Sequence, residues 1–199
     1  MKRRIQIHRA MVIAMILVMG SALFWGCAKS RIPVVGRGKA PEQIYTEPKT
    51  NNYQDKQVGV FRFSAAPYPD SVGYAASQSV FQALLAKKVF LHLIPAYDDP
   101  HLELDKQLSA AHDRGMDLVI TGKVTYYLDG SRSQASRVDE VVMAYDVKSR
   151  EMIWYAKASA QSKPSLEKDY VFIQKTGKPA QSASELIVEN AKKISNLFR

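Results

Sequence analysis

The stretch MDLVITGKVTYYL, residues 116–128, is the longest strand pattern in the sequence. Every second side chain from 118 to 128 is apolar or small, and the side chains between them are partly polar. The apolar or small set is Leu118, Ile120, Gly122, Val124, Tyr126 and Leu128. A period of two predicts a strand with one face on a core. Two more strand patterns, about 136–147 and 151–161, follow after short turns, so we expect a three-stranded antiparallel meander.

Upstream of this meander, two shorter strand patterns alternate with two helix patterns. Residues 57–64 predict a strand, and a helix over about 73–87 places Val80, Phe81, Leu84 and Leu85 on one side. Residues 89–95 are almost wholly apolar, which predicts a strand covered on both faces. A second helix is expected to begin after Asp98 or Asp99 as N-cap and to end at Gly115.

Downstream, residues 163–178 have no clean period and predict an irregular crossing loop. Residues 181–198 repeat apolar side chains at steps of three or four, which indicates a helix. The resulting order is β-α-β-α-β-β-β-α. This order predicts an α/β fold in which helices cover a mixed sheet in two or three layers.

Composition excludes several classes of protein. The chain has 199 residues, 46% of them hydrophobic, and one cysteine, so it is neither a disordered chain nor a disulfide scaffold. Its net charge of +9 lies mostly before residue 57. Residues 57–199 carry 18 basic and 16 acidic side chains, and the two signs are interspersed along the segment. Without a basic face, nucleic acid is not expected as a partner.

The N-terminus predicts export. Four basic residues precede an uncharged run of 17 residues, Ala10–Gly26, as in a signal peptide. Cys27, directly behind Gly26, resembles the cysteine of the bacterial lipobox, which receives a diacylglyceryl group and becomes the mature N-terminus. That resemblance implies a lipid anchor with palmitate-like acyl chains. Phe24 and Trp25 depart from the lipobox pattern, and an uncleaved signal anchor is the alternative.

The chain is predicted to have three segments. These are the signal peptide (1–26), the lipidated Cys27 with a flexible tether (27–56) and a periplasmic domain (57–199). The tether is inferred because 28–56 is polar, contains Pro33, Pro41 and Pro48, and lacks a sustained period. By resemblance to sorted lipoproteins, Ala28 after the cysteine implies the periplasmic face of the outer membrane.

No metal or cofactor site is expected. His101 and His112 share one face of the second predicted helix but stand about 16 Å apart along its axis, too far to bind one ion. His92 lies in an apolar strand and is expected to be structural. The spacing of His101, Glu103 and Asp105 scatters these side chains around a helix and matches no metalloprotease pattern.

No catalytic residues are expected either. The sequence lacks G-x-S-x-G, and its serines fall in turns or on helix faces. Two acidic pairs, Asp98/Asp99 and Asp139/Glu140, consist of adjacent residues whose side chains point apart. We therefore interpret both pairs as solvated polar positions.

Two segments carry a family resemblance. Residues 115–124, GMDLVITGKV, resemble the G-A-D-hydrophobic-hydrophobic-x-G-x-V signature of a group of periplasmic lipoprotein domains, and residues 144–156, AYDVKSREMIWYA, resemble their D-x-x-S/T-x-E-x-x-W strand–turn–strand. The group includes the curli-secretion lipoprotein CsgG, the penicillin-binding-protein activator LpoB, flagellar accessory lipoproteins and the N-terminal domain of TolB. In this reading Gly115 ends a helix, Asp117 caps a turn and Gly122 allows close packing.

The resemblance implies an anticodon-binding-like α/β fold that acts as a non-catalytic docking or assembly module for an envelope complex in secretion, wall synthesis or motility. Its partner would be an envelope protein, and a homo-oligomer is possible. Arg137, Asp139 and Glu140 interrupt the candidate hairpin and argue against a pore. Two alternatives stay open: an exported wall- or glycan-active enzyme, and a structural subunit that oligomerises through an open sheet edge.

Overall fold

A computed structural model describes residues 43–46, 53–97, 103–165, 168–170, 173–175 and 177–198, with the backbone alone for 43–46, 168–170 and 173–175. Its strands are β1 Gln43–Thr46, β2 Gln57–Phe61, β3 His92–Ala96, β4 Leu118–Leu128, β5 Ser136–Asp146, β6 Met152–Ser162, β7 Lys168–Tyr170 and β8 Ile173–Lys175. Its helices are α1 Asp70–Ala86, α2 Leu104–Asp113 and α3 Ala183–Leu197.

The sheet is mixed, and the predicted α/β class is confirmed. Six strands lie in the order β1-β6-β5-β4-β2-β3, and β7 and β8 form a separate hairpin. The meander β4-β5-β6 is antiparallel, as predicted. Strand β2 runs parallel to both β3 and β4 because helices α1 and α2 provide the crossovers that parallel neighbours need.

The core lies on two sides of the sheet. On one side α1 and α3 pack with the larger apolar cluster, in which Trp154, Phe63, Leu84, Ile120, Leu186 and Ile194 are almost fully buried. On the other side Leu108 and Ala111 of α2 pack with a smaller cluster around Phe61 and Val119. The domain is therefore a three-layer sandwich whose second helical layer covers only part of the sheet.

The alternation predicted for β4 holds only as far as Val124. The pairing register with β5 shifts between Val124 and Tyr126, so Thr125 is the extra residue of a β-bulge. Beyond it the faces exchange: Tyr127 packs against the larger core, while Tyr126 and Leu128 are exposed. The prediction that Tyr126 and Leu128 share the face of Leu118 is therefore wrong.

Strand β3 is not the doubly covered strand that its apolar run predicts. It lies at the edge of the sheet, where His92 and Pro95 are exposed and only Ala96 is fully buried. Pro95 lacks a backbone N–H, which an edge strand tolerates on its unpaired side. The run is apolar because Leu93 and Ile94 pack on opposite clusters at the margin of the sheet.

The helix boundaries are close to prediction at the C-termini and less so at the N-termini. Helix α1 begins at Asp70, three residues before the predicted start, and it exposes Leu85 instead of burying it. Helix α2 begins at Leu104, because extended backbone at Glu103 stops the helix there (ψ 152°). Gly115 has a φ of +71°, which confirms its predicted role in ending α2.

Two segments that were predicted to lack regular structure contain strands. Within the stretch 28–56, β1 pairs antiparallel with β6 and extends the sheet. Within 163–178, β7 and β8 form a short hairpin, and Ser165 and Lys178 exchange backbone hydrogen bonds. Both pairings consist of backbone hydrogen bonds between strands. The period of the side chains along one strand does not reveal which strand lies beside it. In the part of the chain that the structure describes, every helix is too short or too polar to cross a lipid bilayer.

Candidate functional site

Several residues considered from the sequence lie outside the described ranges: Cys27, Ala28, Asp98, Asp99 and His101. The two histidines that the structure describes belong to different elements. His92 is exposed at the first position of β3, and His112 is exposed on α2, with Nδ1 3.7 Å from Asp113 Oδ1. The described residues contain no group of three or more metal-ligating side chains.

The interpretation of Asp139 and Glu140 as solvated is wrong. Their side chains do point to opposite sides of β5, but both are buried, with Asp139 6% and Glu140 0% exposed. Glu140 alternates in phase with Val138, Val142 and Ala144, whose side chains face α1 and α3. This shared phase is a signal in the sequence that places Glu140 in the core.

Glu140 is a buried carboxyl without a counter-charge. Neither of its carboxyl oxygens has a hydrogen-bond partner among the described residues. Burial raises the pKa of Glu140 to about 8, and the nearby Asn190 amide opposes this rise. Asn190, fully buried on α3, donates to the Val138 carbonyl at 3.0 Å and leaves its own Oδ1 without a partner.

On the opposite side of the sheet, β5 and β6 are not covered by a helix within the described part of the chain. We call this surface the open face, and it comprises Lys123, Tyr126, Asp139, Val141, Met143, Tyr155, Lys157 and Ser159. Strand register places Val141 between Lys123 and Lys157 in one row, with about 10 Å between the two lysine Cα atoms. Val141 and Met143 are half-buried, and both lysines are exposed.

One end of the open face is held by a polar network. Arg137 donates two hydrogen bonds to Asp139, at 3.0 and 2.6 Å, and its guanidinium lies 5.2 Å from the centre of the Tyr126 ring. Ser159 donates to Asp139 at 2.6 Å. Burial raises the pKa of Asp139, but these hydrogen bonds and the charges of Arg137 and Lys157 lower it more, so the pKa lies below its usual value.

A shallow cleft of about 220 Å³ borders the open face beside the first turn of α2. It is lined by Arg62, Ser64, Leu104, Gln107, Thr121, Gly122, Lys123, Met143 and Tyr145. Arg62 donates to the Asp70 carbonyl at 3.1 Å and stacks 5.5 Å from the Tyr74 ring centre. Burial raises the pKa of Tyr145, whose hydroxyl lies 3.5 Å from Met143 Sδ.

The cleft and the open face differ in their chemistry. The described lining of the cleft includes no carboxyl, imidazole or thiol, and Glu140 lies on the other side of the sheet. Acid–base catalysis needs titratable groups that converge on one reacting atom. The open face instead combines half-buried apolar side chains with two exposed lysines and the Arg137–Asp139 ion pair.

No protein-family model matches the chain, and no curated protein sequence matches it significantly. Its fold matches a PelC dodecamer from Paraburkholderia phytofirmans with a TM-score of 0.59 at 13% identity, over 79% of this chain and 96% of the PelC chain. A second PelC dodecamer structure from the same organism matches with a TM-score of 0.57 at 12% identity, over 80% and 98%.

Weaker structural matches include one further lipoprotein, and TolB and LpoB. The lipoprotein GNA1162 from Neisseria meningitidis matches with a TM-score of 0.42 at 15% identity, over 71% of this chain and 99% of that one. TolB from Acinetobacter baumannii matches with a TM-score of 0.36, and the LpoB C-terminal domain from Salmonella enterica matches with a TM-score of 0.31. At these identities the PelC match shows the fold alone: this chain has a three-layer α/β fold similar to that of PelC.

Proposed function

We propose that this protein is a lipid-anchored lipoprotein of the bacterial envelope whose α/β domain works without catalysis, as an assembly module that binds further copies of itself and docks an envelope protein. Cys27 carries the anchor, and the periplasmic face of the outer membrane is the proposed location. The proposed exported domain is residues 57–199, and β1 of the preceding segment adds a strand at its β6 edge.

The observation that carries this proposal is the open face. Half-buried apolar side chains on a sheet face need a cover, and no described helix supplies one over β5 and β6. The similarity to a PelC dodecamer over 96% of the PelC chain supports another copy of this chain as that cover. In a closed ring each subunit contacts the next through two different patches, and the open face is one of them.

Substitution of Val141 tests this interface. Val141→Lys adds a third positive charge to the row of Lys123 and Lys157, so a partner that packs on the row is repelled. We expect the detergent-purified full-length protein to change from an oligomer to a monomer, measured by light scattering after size exclusion. A thermal melt establishes that the variant is folded.

Val188 offers a matched control for this substitution. It is 44% exposed on α3, on the other side of the sheet, so Val188→Lys should leave the oligomer intact. If the two variants have the same mass as the wild type, the open face is not the interface. Contact through an edge strand of the sheet is then the alternative, and His92→Pro, at the exposed start of β3, tests one of the two edges.

The lipid anchor has its own test. Labelled palmitate should be incorporated into the wild-type chain in cells and absent from Cys27→Ser, because the thioether needs the thiol. The matched control is Ser30→Ala, three residues further along, which should be labelled like the wild type. Labelling that persists in Cys27→Ser would contradict an anchor at Cys27, and a wild-type chain without label would favour the uncleaved signal sequence.

The docking of an envelope protein is tested separately. A photo-reactive side chain placed at Tyr126, on the margin of the open face, should crosslink in cells to one envelope protein. Mass spectrometry should identify that protein in the adduct in an amount close to that of this chain. A reactive group at exposed Lys148, in the β5–β6 turn, serves as the comparison. Adducts with this chain alone would support a purely structural subunit and contradict the docking role.

A further inference from the structure

Glu140 is isolated in the apolar layer between the sheet and α3. Its cross-strand neighbours are Val124 on β4 and Ala158 on β6, which have no ionisable groups. The buried side of α1 adds the apolar Val72, Ala76, Val80 and Leu84, and Ser77, whose hydroxyl donates to the Tyr74 carbonyl at 2.9 Å. These neighbours would solvate a carboxylate poorly.

Charged and titratable groups close to this layer are occupied elsewhere. On α3, Lys193 pairs with Glu189 at 3.0 Å and donates to the Ser159 carbonyl at 2.9 Å. Asp139 and Lys157 lie on the open face, on the other side of the sheet. On β4, burial raises the pKa of Tyr127 above 10, so this phenol stays neutral at moderately alkaline pH.

Asn190 is the matching group on α3. Its Nδ2 is fixed by the bond to the Val138 carbonyl, two residues from Glu140 on the same face of β5, so its Oδ1 is an acceptor without a donor. A neutral carboxyl has one O–H donor, and a carboxylate has none. One proton on Glu140 therefore supplies the donor that Asn190 Oδ1 lacks. Its loss leaves that oxygen unsatisfied and places a charge in an apolar layer, where the Asn190 amide offsets only part of the cost.

We propose that Glu140 is held as a neutral carboxyl that donates to Asn190, and that loss of its proton loosens α3 from the sheet, which makes the domain a switch that responds to alkaline pH. Because α3 covers Trp154 and the alanines of β6, its release exposes the apolar side of the sheet. This inference does not depend on the lipid anchor or on the oligomer.

The direction of the pH effect follows from linkage. In the unfolded chain Glu140 has its ordinary pKa of 4.5, and in the folded protein its pKa is about 8, so the folded state holds a proton that the unfolded state has lost between these values. Rising pH therefore favours unfolding over this window, and the effect levels off above it. The folding equilibrium constant should fall on the order of 100-fold from pH 6 to pH 9.

Urea unfolding of the full-length protein from pH 6 to pH 9 provides the test. Glu140→Gln keeps a donor toward Asn190 but cannot ionise, so its folding constant should be nearly flat over this range. Glu189→Gln removes an exposed carboxyl from the same helix and should keep the wild-type pH dependence. An equal fall in wild type and Glu140→Gln, or a flat wild-type profile, would overturn the proposal.

Two measurements on the wild type keep the proposal testable if Glu140→Gln does not fold. Infrared difference spectra between pH 6.5 and pH 9 should show a protonated carboxyl band that disappears. Amide exchange, corrected for the intrinsic pH effect, should accelerate in α3 while α2, on the other side of the sheet, keeps its protection. A protonated band that is absent at pH 6.5, or unchanged protection of α3, contradicts the switch.

Discussion

At position 139 a carboxylate is kept ionised in a site that is nearly closed to water. The Asp139 side chain is 9% exposed, and Arg137 and Ser159 satisfy its oxygens. We expect Arg137→Ala to lower the free energy of unfolding by about 1–3 kcal/mol, because it leaves a buried carboxylate without its bidentate donor. Urea unfolding measures the effect, and Arg132→Ala, in the exposed β4–β5 loop, should change it by less than about 0.5 kcal/mol.

The same network has a pH signature. Because the pKa of Asp139 is lower in the folded state, its stabilising contribution is present above the unfolded pKa and is lost as the pH falls through the folded pKa. In Arg137→Ala that loss should begin at a higher pH. Identical acid-unfolding profiles for the variant and the wild type would contradict the role assigned to Arg137.

Gly122 is required by close packing. A Cβ at this position would lie 2.6 Å from the Val141 carbonyl oxygen and 2.8 Å from the buried Phe63 ring. Gly122→Ala should therefore destabilise the domain by about 1–3 kcal/mol in a thermal or urea melt. Lys123→Ala, at the next and exposed position, should melt like the wild type, and a stable Gly122→Ala would mean that the Phe63 ring has room to move.

Three positions that the sequence singled out have structural roles, one of them through local backbone geometry and two through contacts with distant parts of the chain. Gly115 ends α2, Gly122 makes room for Phe63, and Asp117 accepts from the Gln57 N–H at 2.9 Å at the start of β2. Glu140 was misread because an acidic residue in a strand is usually solvated. Its burial depends on α3, which is more than 40 residues away in the chain.

Among the elements, α3 carries a sequence-readable start. Ser182 accepts from the Glu185 N–H, and Glu185 accepts from the Ser182 N–H, which forms a capping box. Asp129 adds a further acceptor for the Ala183 N–H at 2.7 Å. Ser182→Ala should reduce the unfolding free energy by about 1 kcal/mol, measured in urea, because an N-terminal N–H loses its acceptor.

The control for this cap is on the same helix. Glu189→Ala removes only an exposed ion pair with Lys193 and should cost no more than about 0.5 kcal/mol. If both substitutions have the same small effect, Asp129 alone is sufficient to begin α3.

The elements themselves were largely predictable, since their side-chain periods are strong. The order β2-α1-β3-α2-β4-β5-β6-α3 agrees with the sequence pattern. The sequence did not reveal the Thr125 bulge, the edge position of β3 or the pairing of β1 with β6. Each of these depends on which strand lies beside which, and a period along one strand carries no such information.

For the whole molecule, the candidate site is a product of topology. Lys123, Val141 and Lys157 form one row only because three strands pair in one register, and the open face exists because α1 and α3 pack together on the other side. The sequence-level expectation of a surface that binds, without convergent catalytic groups, supports the same proposal. What a residue pattern could not provide is the position of that surface.

The mass of the full-length protein, extracted with its anchor in mild detergent and measured by light scattering after size exclusion, tests the central claim most directly. The account predicts a single species of several chains for the wild type and for Val188→Lys, and one chain for Val141→Lys. A wild-type mass equal to one chain at micromolar concentration would contradict it.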